Sequence, residues 1–320
     1  MRIVRPVVVL ALFACGTVAT AQTAKTEAAA TVLAATREAL GGEKKLAAVK
    51  TLVATGRTRQ VRGENLVPIE FEIAMELPDR YVRKDEIPAQ ESDPTTVGFN
   101  GDELIQLPLP AAPGGPARAG GPPAPTPEQQ EAARKARLAN VKQDFARLTL
   151  GMFATSFSSV PLTFSYVAKA EAPQGKADVL DVKGAGNFAA RLFVNADTHL
   201  PIMISWTAPV PPQRPPSRGN GPIASAGQGA GVPSRGEAPA SSAPAGPPPA
   251  PPPPSPGASP PASAGQAESR VYFADYRDVG GMQFPFRLRR ALGPDTVEET
   301  TFDGFKINPK IDPKKFEVRK

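Results

Sequence analysis

The 320-residue chain holds one histidine, His199, and one cysteine, Cys15, so any chemistry that needs either has a single place to stand. His199 sits in Asp197-Thr198-His199-Leu200-Pro201, a turn-like run between strand-like segments. A Ser-His-Asp relay would have to be built on it, but no G-x-S-x-G elbow occurs to expose a serine nucleophile. Neighbouring carboxylates occur at Asp102-Glu103, at Asp178 with Asp181, and at Glu298-Glu299. Adjacent side chains in a strand point to opposite faces, so the first and last of these pairs do not converge on one substrate. Gly184-Ala185-Gly186-Asn187-Phe188-Ala189 has the spacing of a dinucleotide loop. The residues after it alternate as a strand, which leaves no helix N-terminus to hold a phosphate and predicts a hairpin loop. Zinc-site spacing of Cys and His is absent, as is a calcium-binding loop. The reading is a protein that is not an enzyme, with no metal and no cofactor.

What remains is apolar. Phe71, Ile73, Met75, Phe164, Tyr166, Trp206, Met282, Phe284 and Phe286 fall on apolar strand faces. They are candidates to line a cavity for acyl chains, and equally candidates to fill a solid core; alternation alone leaves both readings open.

The elements that would position them are mostly strands. Val67, Ile69, Phe71, Ile73 and Met75 alternate with Glu70, Glu72, Ala74 and Glu76, one face greasy and the other wet. Similar alternation runs through Leu162 to Ala168, Phe188 to Val194, Ile202 to Trp206 and Met282 to Leu288. Phe99-Asn100-Gly101-Asp102 marks a hairpin. Helices are expected over Thr26 to Leu40, stopped by Gly41-Gly42, and over Glu43 to Val49. A longer one starts at the capping box Thr126-Pro127-Glu128-Gln129 and carries the narrow stripe Leu138, Val141, Phe145 and Leu148. A sheet with one apolar face must close, meet a second sheet or wrap around helices. The expected class is therefore α+β, mostly antiparallel: a curved, incompletely closed β-barrel of about ten strands over two or three helices.

The ends and composition place the chain. Arg2 and Arg5 precede the uncharged stretch Val7 to Phe13, and Ala19-Thr20-Ala21 is an A-x-A cleavage signal. Residues 1–21 therefore read as a secretory signal peptide and the mature protein as periplasmic. Leu12-Phe13-Ala14-Cys15 offers the alternative of lipidation at Cys15 and a membrane-anchored lipoprotein. The apolar run is shorter than the about 20 residues that cross a bilayer, and no transmembrane span is expected. Without disulfides the fold must rest on its apolar core. The formal charge of +6 is spread along the chain and argues against nucleic acid as a partner. Two segments, 108–127 and 209–267, are dominated by proline and glycine; they bury too little to repay ordering and are expected to be disordered or polyproline II. Pro247 to Pro256 reads as a ligand for an aromatic-grooved partner protein or as a solvated loop. Strand patterns continue on both sides of the longer insert, so residues 22–320 read as one domain.

The order of these pieces resembles the LolA/LolB superfamily of periplasmic lipoprotein carriers and outer-membrane lipoprotein receptors. Ala39-Leu40-Gly41-Gly42 through Leu52 and Gly56 resembles its opening, and Gly98-Phe99-Asn100-Gly101-Asp102-Glu103-Leu104 its hairpin. Ala190-Arg191-Leu192-Phe193-Val194 with Leu200-Pro201-Ile202 resembles a mid-chain strand pair. Tyr276 to Pro285, with Ile307-Asn308-Pro309 and Phe316, resembles its ending. The resemblance implies an open β-barrel curled over helices that binds a lipid or acylated lipoprotein in its interior without a cofactor. The alternative is a structural or regulatory envelope protein that binds another protein through the same fold and its proline-rich loop.

Overall fold

The computed structural model describes residues 17–63, 65–88, 90, 92–109, 126–172, 175–209 and 265–318. Cys15, the start of the expected signal, and all but the margins of the two proline-rich inserts lie outside the described residues. The elements belong to one compact unit, residues 1–208 with 267–320.

Two helices open the chain, α1 (Thr17–Ala39) and α2 (Glu43–Ala47). Five strands follow: β1 (Thr51–Arg62), β2 (Asn65–Glu76), β3 (Arg80–Glu86), β4 (Thr95–Asn100) and β5 (Glu103–Leu107). Helix α3 (Pro127–Phe153) leads to β6 (Leu162–Ala172), β7 (Gly175–Gly184), β8 (Phe188–Asn195) and β9 (Pro201–Pro209). The chain ends with β10 (Gln266–Val279), β11 (Met282–Leu292), β12 (Asp295–Ile307) and a 3-10 turn, Pro313–Phe316.

All twelve strands form one sheet in the order β5-β4-β3-β2-β1-β12-β11-β10-β9-β8-β7-β6. The sheet is not closed into a barrel, and its two edges, β5 and β6, are the strands that α3 connects. The number is twelve rather than the expected ten or so. Strands such as β3, Arg-Tyr-Val-Arg-Lys-Asp-Glu, are charged on both faces and carry no apolar alternation to reveal them.

A single helix shows how far the sheet curls. Phe145 of α3 meets Tyr81 of β3 and Phe99 of β4, while Arg147, two residues on, lies over Phe188 of β8 and Trp206 of β9. In a flat sheet β4 and β8 would stand roughly 38 Å apart at about 4.8 Å per strand. A helix with its side chains is only about 10–12 Å across. The strands must therefore wrap around α3.

The start of α3 follows its sequence signal: Gln129 N donates to Thr126 Oγ1 (3.3 Å) and Thr126 N to Gln129 Oε1 (2.9 Å). Its narrow stripe does not persist. Phe145, Ala146, Arg147, Thr149, Leu150, Gly151, Met152 and Phe153 are all buried, because the curled sheet surrounds the last turns. Gly151 permits that approach: a Cβ there would stand 2.1 Å from the Phe273 ring. Helix α1 lies against β6 and buries Ala29, Leu33 and Thr36, at helical spacing, with Leu40 buried just beyond its end. It ends at Gly41 and Gly42, both at positive φ as the sequence predicts, and a Cβ on Gly41 would meet Gly281 O at 2.7 Å.

The alternation expected of β2 is present on its inner face, where Ile69, Phe71, Ile73 and Met75 are buried. The outer face is not uniformly wet. Ala74 is covered, together with Val82 and Ile105, by Phe316 of the C-terminal turn. The turn is pinned there by Asn100 Nδ2 donating to Phe316 O (3.2 Å) and by the Lys315–Glu72 ion pair.

Candidate functional site

Read in register, the inward faces of the central strands change character at the same end. In β1 they run Leu52, Ala54 and Gly56, then Thr58, Gln60 and Arg62. In β11 they run Met282, Phe284 and Phe286, then Leu288 and Arg290. In β12, Phe305 and Phe302 give way to Thr300 and Glu298, and in β3 Tyr81 gives way to Arg83 and Asp85. Antiparallel pairing stacks these transitions side by side: Thr58 pairs with Thr300 and Arg290 with Glu298.

The apolar end is solid. Phe284 stacks on Phe305 (4.7 Å between centroids), Phe305 meets Phe302 (4.7 Å) and Phe286 (5.2 Å), and Phe153 caps Phe284 edge-on (6.0 Å). Near the transition a cavity of about 310 Å³ opens between the sheet and α3. This is at the small end of the about 300–1,000 Å³ range of ligand pockets. Ile69, Phe71 and Ile73 of β2, Val271 and Phe273 of β10, Phe302 of β12 and Val141 and Leu148 of α3 make its apolar walls. Arg83, Asp85, Asp144, Arg147, Arg290 and Glu298 make its polar end.

The polar groups are tied together. Arg83 Nε donates to Asp85 Oδ1 (2.7 Å), and its Nη2 donates to Thr58 Oγ1 (3.3 Å). Thr58 and Thr300 share a buried hydroxyl hydrogen bond (2.9 Å). The Arg83 guanidinium also lies 4.7 Å from the Phe71 ring centroid. Burial alone would lower the proton affinity of Arg83, but Asp85, together with Tyr81 and Glu298, more than offsets it and the pKa is raised. Tyr81 beside it is pushed up to about 12, first by burial and in addition by Asp144 and Asp85, against Arg83. Arg147 goes the other way: burial lowers its pKa, Arg290 adds to that, and Asp144 opposes both.

Of the nine residues the sequence singled out, Phe71 and Ile73 line this cavity. Met75, Met282, Phe284 and Phe286 are buried in the packed core at the other end. Phe164 and Tyr166 lie on the edge strand β6, half-buried, with Tyr166 Oη donating to Asp178 Oδ1 (3.1 Å). Trp206 lies under Arg147, along a second groove between α3 and β7–β9. The structure thus brings Phe71 and Ile73 to one site and distributes the rest. Sequence reasoning missed the arginines. The turn of β1 from Leu52 and Ala54 to Thr58, Gln60 and Arg62 on one face was the available signal; for Arg147, off the apolar stripe of its helix, there was none.

The other sequence features stand apart from the cavity. His199 is exposed in the β8–β9 turn at positive φ (56°), with Asn195 Oδ1 accepting from Asp197 N (2.9 Å) and Thr198 N (2.8 Å). Gly184 to Phe188 forms the β7–β8 hairpin loop. Among the described residues no group of His, Cys, Asp and Glu could hold a metal ion, and no helix is long and apolar enough to cross a membrane.

No protein-family model matches this chain, and no curated protein matches it. It is similar in fold to solved structures. One is the LolA superfamily protein NE2245 from Nitrosomonas europaea, at 11% identity and a TM-score of 0.47, covering 90% of this chain and 97% of that one. A putative outer membrane lipoprotein-sorting protein domain from Vibrio parahaemolyticus is 7% identical with a TM-score of 0.44, covering 91% and 97%. A DUF1329 family protein from Desulfovibrio piger is 6% identical with a TM-score of 0.38, covering 92% and 97%.

Proposed function

We propose that this chain is a non-catalytic envelope protein that holds the apolar chain of a lipid or acylated protein inside its curled sheet. It works outside the cytoplasm, as a periplasmic protein or anchored through Cys15. The observation that carries the reading is the cavity of about 310 Å³ between the sheet and α3, apolar along its walls and polar at one end. Each methylene transferred from water contributes about 0.8 kcal/mol, so seating roughly eight of them supplies about 6 kcal/mol against the ordering of the ligand. The hydrogen-bonded pairs at the polar end hold one another rather than an exposed nucleophile with its base, and the one histidine lies in a remote turn.

The test is uptake of a neutral probe, a pyrene-labelled fatty alcohol, by the full chain without its signal. Saturable binding is expected, and Val97→Phe, which places a larger side chain on the cavity wall, is expected to weaken it by about ten-fold or more. Absence of saturable uptake by the unaltered protein overturns the proposal.

A further inference from the structure

We propose that the polar end of the cavity is an anion receptor, in which Arg147 and Arg290 grip the negatively charged head of an amphiphile whose apolar chain lies beside Phe71, Phe273 and Phe302. The inference rests on the acyl-chain reading above and adds the charge of the ligand to it.

Arg147 is only 9% exposed, and it is incompletely satisfied. Its Nη1 donates to Asp144 Oδ1 (3.0 Å) and its Nη2 to Gln143 Oε1 (3.1 Å), but its buried Nε has no hydrogen-bond partner among the described residues. A buried charged donor left unpaired is unfavourable, and native proteins keep few of them. The Asp144 side chain is half exposed, so water screens much of what it offers. Arg290 brings a second positive charge to the same place. The two guanidiniums lie 4.2 and 6.0 Å from the ring of Trp206, and both line the cavity. Their mutual repulsion adds to the burial that lowers the proton affinity of Arg147. A compact oxyanion relieves the unpaired donor and the like-charge contact together, and arginine is the side chain best shaped to accept a carboxylate or phosphate. The same cavity is walled by phenylalanine, so one ligand must carry both a charged head and a greasy body. A fatty carboxylate and an alkyl phosphate share that chemistry.

Trp206, the only tryptophan in the chain, lies under Arg147 and Arg290, so its fluorescence reports on the surroundings of these two arginines. The full chain without its signal is titrated at pH 7.5 with dodecanoate, dodecyl phosphate, dodecanol and inorganic phosphate. Both dodecyl anions are expected to bind about ten-fold or more tighter than dodecanol, as a hydrogen bond to a charged group would give. The tighter of the two identifies the head group as carboxylate or phosphate. Arg290→Gln, at a half-buried position, is expected to remove most of that preference. Equal binding of dodecanol and the two anions overturns the receptor while leaving the acyl-chain reading intact. So does an undiminished preference in Arg290→Gln. Inorganic phosphate binding as tightly as dodecyl phosphate overturns the amphiphile. Failure of all four to bind, with no uptake of the neutral pyrene probe, overturns the acyl-chain reading itself.

Discussion

If the sheet is held in its curl by α3, then removing one ring from that helix should loosen the whole domain. Phe145 is the ring to remove. It is fully buried, 5.4 Å from Tyr81, 5.3 Å from Phe99 in an edge-on contact and 5.9 Å from Phe157. These partners belong to β3, β4 and the segment after the helix, so no single neighbour can move in to fill the space. Phe145→Ala should therefore sit in the usual range for such truncations, about 3–5 kcal/mol, with little relief from collapse. Domains of this kind have a total stability of about 5–15 kcal/mol, so about a fifth or more would be lost. Leu138→Ala is the internal comparison: the same helix, the same apolar stripe, but a half-buried side chain that should cost about 1 kcal/mol. Urea unfolding of the three proteins, followed by far-ultraviolet circular dichroism, measures both. The midpoint of Phe145→Ala should fall far below that of Leu138→Ala with the slope unchanged, and its Tm should drop by roughly 10 °C. Equal midpoints for the two variants, or a Phe145→Ala loss below about 1 kcal/mol, would refute the claim that the strands are packed around α3.

Two further outcomes concern Tyr81, beside Phe145, and the exposed turn at Asn308. Tyr81 carries a pKa raised to about 12 from 10.0, so its neutral form is favoured in the fold. That contribution is intact below pH 10 and is lost as pH rises toward 12, amounting to roughly 2–3 kcal/mol. Tyr81→Phe, which cannot ionise, should accordingly raise the alkaline unfolding midpoint while changing little at pH 7; an unmoved midpoint contradicts the assignment. Asn308, at φ 52°, ties the end of β12 to the start of β1: its Oδ1 accepts from Lys50 N (2.7 Å) and Thr51 N (3.3 Å), and its Nδ2 donates to Ala48 O (3.0 Å). Asn308→Ala should lose about 2 kcal/mol in the same urea assay, more than Asn308→Asp, which keeps the acceptor.

Local signals were readable wherever the physics is local. Thr126, Pro127 and Gln129 start α3 because a cap is satisfied within one turn of chain. Gly41 and Gly42 end α1 because only glycine adopts their backbone angles cheaply. Phe188, Ala190, Leu192 and Val194 announce the buried face of β8 because alternation is a property of one strand. The antiparallel character of the sheet followed from strands with one greasy and one wet face and from the hairpin signal Asn100-Gly101. Charged strands such as β3 were legible only once their neighbours were known, since Arg83 and Asp85 face inward for the sake of Thr58 and each other.

The amino-acid order alone marked the end of α1 and the start of α3, which strand faces are greasy, and that the chain would build a mostly antiparallel sheet with helices on it; it set the start of α1 at Thr26, whereas the helix begins at Thr17. Only the tertiary structure decided that β1 lies beside β12, that Ala74 is roofed by Phe316, and that five phenylalanines pack together at one end of the interior while arginines gather at the other. The reason is the range of the forces involved. Capping and alternation act across a few residues, whereas Arg147 meets Trp206 and Arg290 only after the strands between them have curled around α3.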